Sequence, residues 1–352
     1  MTAAVTGESD EVLTRVEAGV GLITLNRPKA INSLNHPMVN ALSAVLTRWE
    51  ADDAVRAVVL SGAGERGLCA GGDVVAVYDS ARKDGVEARR FWRDEYLLNG
   101  QIGRFAKPFV SLMDGIVMGG GVGVSAHANT RVVTDTSKIA MPEVGIGFIP
   151  DVGGGFLLSR APGALGLHAA LTGAPFSGAD AIAMGFADHY VPHSDLDAFT
   201  AAIVARGAES ALAHHAVEPP PSALAAQRDW IDECFADDTV EEIVARLRAH
   251  QGHGAGPAND AANLIASRSP IAVSVALEVV RRAAKLETLE DVLTQDYRVS
   301  SASVRSHDLV EGIRAQIIDK DRNPKWSPAT LAAVTAADVD AYFAPVDDDL
   351  SF

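Results

Sequence analysis

Apolar and polar residues alternate from Val12 to Leu25, and the alternation breaks at Ala18-Gly19. A period of two with a glycine-containing break predicts a β-hairpin, which runs on into the loop Asn26-Arg27-Pro28-Lys29. The period then lengthens. From Pro37 to Asp52, the residues Met38, Ala41, Leu42, Val45, Leu46 and Trp49 share one face of a helix. Val55 to Ser61 is a short apolar run of strand character. A glycine-rich loop from Gly62 to Gly72 follows it, and Asp73 is placed to cap the next helix. Phe91 to Phe105 reads as a second amphipathic helix. Phe109 to Met113 and Gly115 to Val117 read as short strands, and Gly119-Gly120-Gly121 opens a helix that runs to Ser125. Arg131 to Thr134 and Lys138 to Met141 resemble further strands. Short strands alternating with helices predict a mixed α/β domain with right-handed crossovers.

Beyond Ala179 the pattern is mostly helical, apart from a predicted strand at Ala187 to Val191. Val217-Glu218-Pro219-Pro220-Pro221 is a stiff break, because proline fixes its own backbone. Ser222 to Ile317 predicts a series of helices, with Ser269-Pro270 as a helix start and Gln251 to Pro257 as a loop. The expected organisation is an α/β core over 11–200 and a helical region over 201–345.

Composition narrows the function classes. The chain has 352 residues, 48% apolar, which suits one main domain with an extension. The formal charge is −16 and no Lys/Arg cluster stands out, so a nucleic-acid partner is not expected. Cys69 and Cys234 show neither a Cys-x-x-Cys pair nor metal spacing, which fits a reducing compartment, and no metal site is expected. Residues 1–10 lack a basic, apolar or Arg-rich targeting pattern, and no apolar stretch approaches the ~20 residues that span a bilayer. These features predict a cytoplasmic protein without a membrane partner.

Three segments carry candidate chemistry: Leu68-Cys69-Ala70-Gly71-Gly72-Asp73, Met118 to Gly123, and Ala140 to Gly154. The first two sit at strand-to-helix transitions, where glycine lets a ligand approach the main chain and N–H groups lack helical partners. Two such amides aimed at one point form an oxyanion hole for acyl chemistry. Their alternative is a pair of ordinary turns. Neither matches a phosphate loop or a dinucleotide fingerprint. The third segment holds Glu143 and Asp151, eight residues apart in an apolar, Gly/Pro-rich stretch. Burial there would raise their pKa values toward neutrality and suit them to acid or base work. The alternatives are a structural pairing for Glu143 and a helix N-cap for Asp151. Cys69 reads as a packed small residue, and Arg314 as the ion-pair partner of a carboxylate.

Taken in order, Asn26-Arg27-Pro28-Lys29-Ala30, Cys69-Ala70-Gly71-Gly72-Asp73, Gly119-Gly120-Gly121 and Pro142-Glu143 resemble the enoyl-CoA hydratase/isomerase (crotonase) superfamily. That resemblance implies a crotonase-like β-β-α spiral core with a helical C-terminal region, an acyl-CoA substrate and no further cofactor. It implies that the main-chain amides of Gly72 and Gly120 hold the thioester oxygen, and that Lys29 is a candidate phosphate contact. Where hydratases of this family carry a second glutamate, this chain has Gly123. The segment from Met141 to Arg160, Phe91 to Tyr96, and the run from Glu311 through Trp326 resemble the 3-hydroxyisobutyryl-CoA hydrolase branch instead. The implied reaction is hydrolysis of a short 3-hydroxyacyl-CoA, as in valine breakdown. Glu143 is then nucleophile or general base, Asp151 its partner, and Glu95 a substrate-binding group. The alternatives are a hydratase or isomerase, and a non-catalytic acyl-CoA binder. The acyl group, the CoA-phosphate ligands and a homo-oligomeric state stay open.

Overall fold

The computed structural model describes residues 10–352; most of the N-terminal segment read above, residues 1–9, lies outside them. The chain forms two compact units that interleave along the sequence. The first comprises residues up to Gly72, Leu97–Ile139 and Phe176–Ser222; the second comprises Asp73–Tyr96, Ala140–Pro175 and Ala223–Phe352. The expected division into 11–200 and 201–345 is therefore corrected. Helical patterning alone separates the C-terminal residues from the rest, but compactness follows contacts. Two earlier stretches of chain pack with the C-terminal helices.

The first unit is built on strands. The predicted hairpin forms as β1 (Val12–Glu17) and β2 (Val20–Leu25), with Val12 opposite Leu25 and Glu17 opposite Val20. Ala18 and Gly19 both take positive φ, the geometry that matches a tight turn to the twist of its strands. The remaining strands are β3 (Ala57–Gly62), β4 (Phe109–Met113), β5 (Ile116–Met118), β6 (Thr130–Val133), β7 (Lys138–Ala140), β8 (Phe176–Ser177) and β9 (His189–Tyr190). A six-stranded sheet runs in the order β1-β2-β3-β4-β6-β9, parallel from β2 onward, and β5-β7-β8 form a second, three-stranded sheet. Parallel neighbours need crossovers, and the helix His36–Ala51 supplies the one between β2 and β3. Asn35 caps that helix by accepting from the Met38 N–H at 3.0 Å. One face of the large sheet, with Leu22, Val59, Val110 and Val132, is covered by Phe199, Ile203 and Ala211 of the helices Leu196–Arg206 and Ala208–His215.

The second unit is helical. Its central element is Pro270–Ala283, which starts where Ser269-Pro270 predicts, with Ser269 accepting from the Ala272 N–H at 3.1 Å. Ten of its fourteen residues are buried, so packing decides its stability rather than propensity. The loop expected at Gln251–Pro257 is shorter than predicted, since the helix Ala255–Ser267 already includes Pro257. Proline is tolerated in a first helical turn because its missing N–H would have no partner there. Arg314 does pair as expected, with Glu311 at 2.8 Å and with Asp319 and Asp321 at 2.7 and 2.8 Å. Among the described residues no single helix is long and apolar enough to cross a membrane.

Candidate active site

In the first unit, the loop after β3 returns beside β5. Leu68 N–H donates to Asp114 O at 2.9 Å, Cys69 N–H to Ile116 O at 3.1 Å, and Met118 N–H to Cys69 O at 3.0 Å. Gly119 adopts φ 48 and ψ −119, which only glycine takes readily, and the helix Gly120–Ser125 starts from it. Gly121 is required by space: a Cβ there would stand 2.4 Å from Cys69 O. The triple glycine thus lets two pieces of main chain touch. A Cβ on Gly71 would come within 3.8 Å of Gly120 N, so the Gly71-Gly72 corner lies close to the helix start. Neither the Gly72 nor the Gly120 N–H donates to a protein acceptor among the described residues. Two neighbouring unpaired amides are free to hold a carbonyl oxygen. Cys69 is fully buried, as a packed residue, and its Sγ accepts from the Gly71 N–H at 3.5 Å. Gly123 is buried within the short helix and offers no side chain.

The Asn26–Ala30 loop is tied down by its neighbours. Asn32, fully buried at φ 55, donates to Ala63 O at 3.0 Å and to Gly67 O at 3.2 Å. Arg66 donates to Pro28 O and Lys29 O at 2.5 and 2.6 Å. Arg27 is committed to Glu11 at 3.1 Å and Ser33 O at 2.6 Å. Lys29 is exposed in the short turn Pro28–Ala30.

The second unit gathers acids. The helix Val86–Gly103 carries Trp92, Glu95 and Tyr96 on one face, and Trp92 stacks on Phe148 with ring centroids 5.1 Å apart. That stack draws the segment Glu143–Asp151 against the helix. Glu143 opens a short 3-10 turn closed by Gly147, and Phe148 N–H donates to Glu143 O at 3.0 Å. The turn that aims Asp151 is strained, since the β-branched Val152 sits at φ 53. It is held from the helix Leu289–Ser303, where Asp296 accepts from the Gly153 N–H at 2.9 Å. Glu95, Glu143, Asp151 and Asp296 are exposed by only 2, 8, 5 and 0%.

Burial on that scale penalises the charged forms. Desolvation, then the Asp151 charge, holds the Glu95 carboxyl well above the usual range. Desolvation, then Asp151 and Glu95, does the same for Glu143, against a smaller opposing effect of its own main-chain N–H. Burial also pushes Asp296 well up. Desolvation raises Asp151 to about 7, an increase that a hydrogen bond from Tyr96 and one from its own amide hold in check. One oxygen each of Glu95, Glu143 and Asp296 is buried without a protein partner. Asp151 therefore exchanges its proton near neutral pH, and a carboxylate in this group can act as nucleophile or base.

Asp151 is thus no helix cap. The helix Gly154–Leu158 starts from Gly153 with no side-chain cap, and the Asp151 carboxylate accepts from Tyr96 Oη at 2.6 Å instead. Glu95, Glu143 and Asp151, expected from sequence, come together. Tyr96, Asp296 and Ser300 join them without having been foreseen. Asp296 had a signal, an acid on the buried face of a helix beside Val292 and Leu293. Among the described residues no group of three or more His, Cys, Asp or Glu side chains is placed to hold a metal.

The sequence profile described as enoyl-CoA hydratase/isomerase matches residues 20–343. The chain belongs to that family. Its fold is therefore the crotonase-like spiral, here with a helical C-terminal region. Curated members of the family similar to the chain include "3-hydroxyisobutyryl-CoA hydrolase, mitochondrial" of Danio rerio, 38% identical over 96% of this chain and 90% of that protein. The Homo sapiens protein of the same name is 38% identical, covering 99% and 92%. Among solved structures, one described as a carnitinyl-CoA dehydratase from Mycobacterium thermoresistibile is 70% identical, with TM-score 0.95 over 98% of this chain and 99% of its own. One described as an enoyl-CoA hydratase from Rhodobacter sphaeroides 2.4.1 is 40% identical, with TM-score 0.92 over 97 and 100%. The curated names are mitochondrial, which corrects the cytoplasmic expectation. Two buried free thiols are equally at home in any reducing compartment, so composition does not distinguish one such compartment from another.

Proposed function

We propose that this chain hydrolyses the thioester of a short 3-hydroxyacyl-CoA, with 3-hydroxyisobutyryl-CoA as its substrate. The observation that carries the reading is the buried group of Glu95, Glu143 and Asp151. It is supported by near-full-length similarity to curated proteins named for that hydrolysis. In this reading the main-chain amides of Gly72 and Gly120 take the charge that develops on the thioester oxygen. Glu143 either attacks the carbonyl carbon, forming a mixed anhydride and expelling the CoA thiolate, or removes a proton from an attacking water. Asp151 orients the water or the substrate hydroxyl and accepts or returns a proton. Glu95 binds the acyl end, and Lys29 meets a CoA phosphate. The thioester is itself the substrate, so the reaction calls for no cofactor. The net charge of −16 supports a small-molecule partner over a nucleic acid. Self-association into a homo-oligomer belongs to the same reading, and sedimentation of the full chain measures it.

A second reading, reversible loss of water from a 3-hydroxyacyl-CoA, is favoured by the description of the 70% identical structure. Gly123 opposes it, since that position supplies no acid. A panel of acyl-CoA thioesters decides between them. Thiol release from 3-hydroxyisobutyryl-CoA, without growth of conjugated-enoyl absorbance, is the expected result. Absorbance change without thiol release transfers the assignment to the dehydratase. CoA binding with neither signal leaves a non-catalytic binder. That last outcome is disfavoured because burying three unpartnered carboxyl oxygens costs stability without serving affinity alone.

A further inference from the structure

We propose that Tyr96 and Ser300 are positioning residues for Asp151, forming a chain of two buried hydroxyls whose hydrogens reorient as Asp151 gains and loses its proton. The inference rests on the assignment of Asp151 to the reaction and adds two groups that act through it. Its basis is geometric. Tyr96 Oη lies 2.6 Å from Asp151 Oδ2 and 2.7 Å from Ser300 Oγ, and both hydroxyl residues are fully buried. Tyr96 and Ser300 come from different helices, Val86–Gly103 and Leu289–Ser303, so the chain is assembled by tertiary packing.

A phenol has one proton to give and lone pairs to accept. While Asp151 is ionised, Tyr96 O–H donates to the carboxylate and Ser300 O–H donates to Tyr96 Oη. When Asp151 takes a proton on Oδ2, that acid donates to Tyr96 Oη. The tyrosine O–H then turns to Ser300 Oγ, and the serine proton turns back toward its own helix, where Asp296 stands one turn earlier on the same face. No bond between heavy atoms changes and no proton leaves the chain. Dipoles that respond in this way stabilise either protonation state at little reorganisation cost.

The groups facing Asp151 are Glu95 from the first helix, Glu143 from the 3-10 turn, Asp296 from the second helix and Tyr96 itself. Burial disfavours a negative charge on Asp151, and the Tyr96 hydrogen bond opposes that penalty; once formed, the Asp151 charge holds the three acids in their neutral forms. Removing the tyrosine hydroxyl should therefore move the Asp151 titration upward, by about one pH unit for a charge-assisted bond.

The test is the titration of the Asp151 carboxyl carbon in full-length protein labelled with carbon-13 at aspartate carboxyls, with the resonance assigned by its loss in Asp151→Asn. Tyr96→Phe should raise the midpoint pH by about one unit, a tenfold lower proton concentration; Ser300→Ala should raise it by less, and Ser300→Thr should restore it. The limb of the pH–rate profile for thiol release that Asp151→Asn abolishes should move by the same amount. A purely structural role would lower turnover evenly at every pH. An unmoved midpoint in folded Tyr96→Phe overturns the proposal. If circular dichroism shows that Tyr96→Phe does not fold, the Ser300 variants decide it alone. If wild-type protein releases no thiol, the hydrolase reading fails, and the carboxyl titration still decides whether the hydroxyl chain exists.

Discussion

In the unit that carries Gly72 and Gly120 the candidate groups are main-chain amides, whereas in the unit that carries Glu143 and Asp151 they are buried side-chain acids. The first arrangement depends on what is missing. Gly121 leaves room for Cys69 O, and Gly119 takes a backbone shape closed to other residues. The second depends on what surrounds each carboxyl, because the same side chains in water would be ordinary ionised surface groups. The contrast separates two kinds of fragility. Steric intrusion should break the amide pair, and a change of charge or dielectric should retune the acids.

Four substitutions probe that contrast, the largest effect first. Glu143→Gln keeps the shape and removes the ionisable group, so thiol release should fall by about 10³ or more with an unchanged circular-dichroism spectrum. Near-normal turnover would remove Glu143 from the chemistry. Gly121→Ala drives a methyl against main chain rather than a flexible side chain, and should cost both about 10² in kcat and about 2–3 kcal/mol in stability. Parallel measurement of kcat and urea midpoint checks it, and a silent variant would mean that the amides tolerate displacement.

Asp151 provides a test of opposite sign. Its carboxyl is raised from 3.8 to about 7 in the folded protein. The native state therefore binds more protons than the unfolded state between those values, and stability falls as pH rises through that window. The stabilisation is fully present below about pH 4 and gone above about pH 7, a swing of about 4 kcal/mol at ~1.4 kcal/mol per unit. Asp151→Asn should erase this part of the slope. At pH 8 it should be more stable than wild type by about 2 kcal/mol, after loss of the charge-assisted Tyr96 bond, while turnover drops. Chemical denaturation at pH 5 and pH 8 measures the sign, and equal stabilities at both would show that burial imposes no cost on Asp151. The smallest effect belongs to Lys29→Ala. An exposed cation meeting one phosphate should change KM a few-fold, more at low salt, and leave kcat alone. A KM that ignores ionic strength would move the phosphate contact elsewhere.

Local signals were read well where local chemistry decides the outcome. The turn at Ala18-Gly19 and the caps at Asp73 and Ser269 are all formed as predicted. The Asp151 cap failed because the spacing of an acid before a helix does not say whether a tyrosine hydroxyl lies nearer than the helix amides. Pro257 misled in the other direction, since a proline that usually marks a loop also fits a first helical turn. Tyr96 stood in plain view beside Glu95, yet its role depends on Ser300, 204 positions away.

By itself the sequence determined the strand and helix pattern of the α/β portion, the close approach at the glycine motifs, and the presence of Glu95, Glu143 and Asp151. These are properties of short windows, where sterics and hydrogen-bond valence act between near neighbours. Only the tertiary structure decided that the compact units interleave, that Asp296 holds the strained turn at Val152-Gly153, and that Tyr96 and Ser300 meet Asp151. Those outcomes depend on which distant surfaces exclude water from a carboxyl, and desolvation is a property of the assembled core that no short window contains.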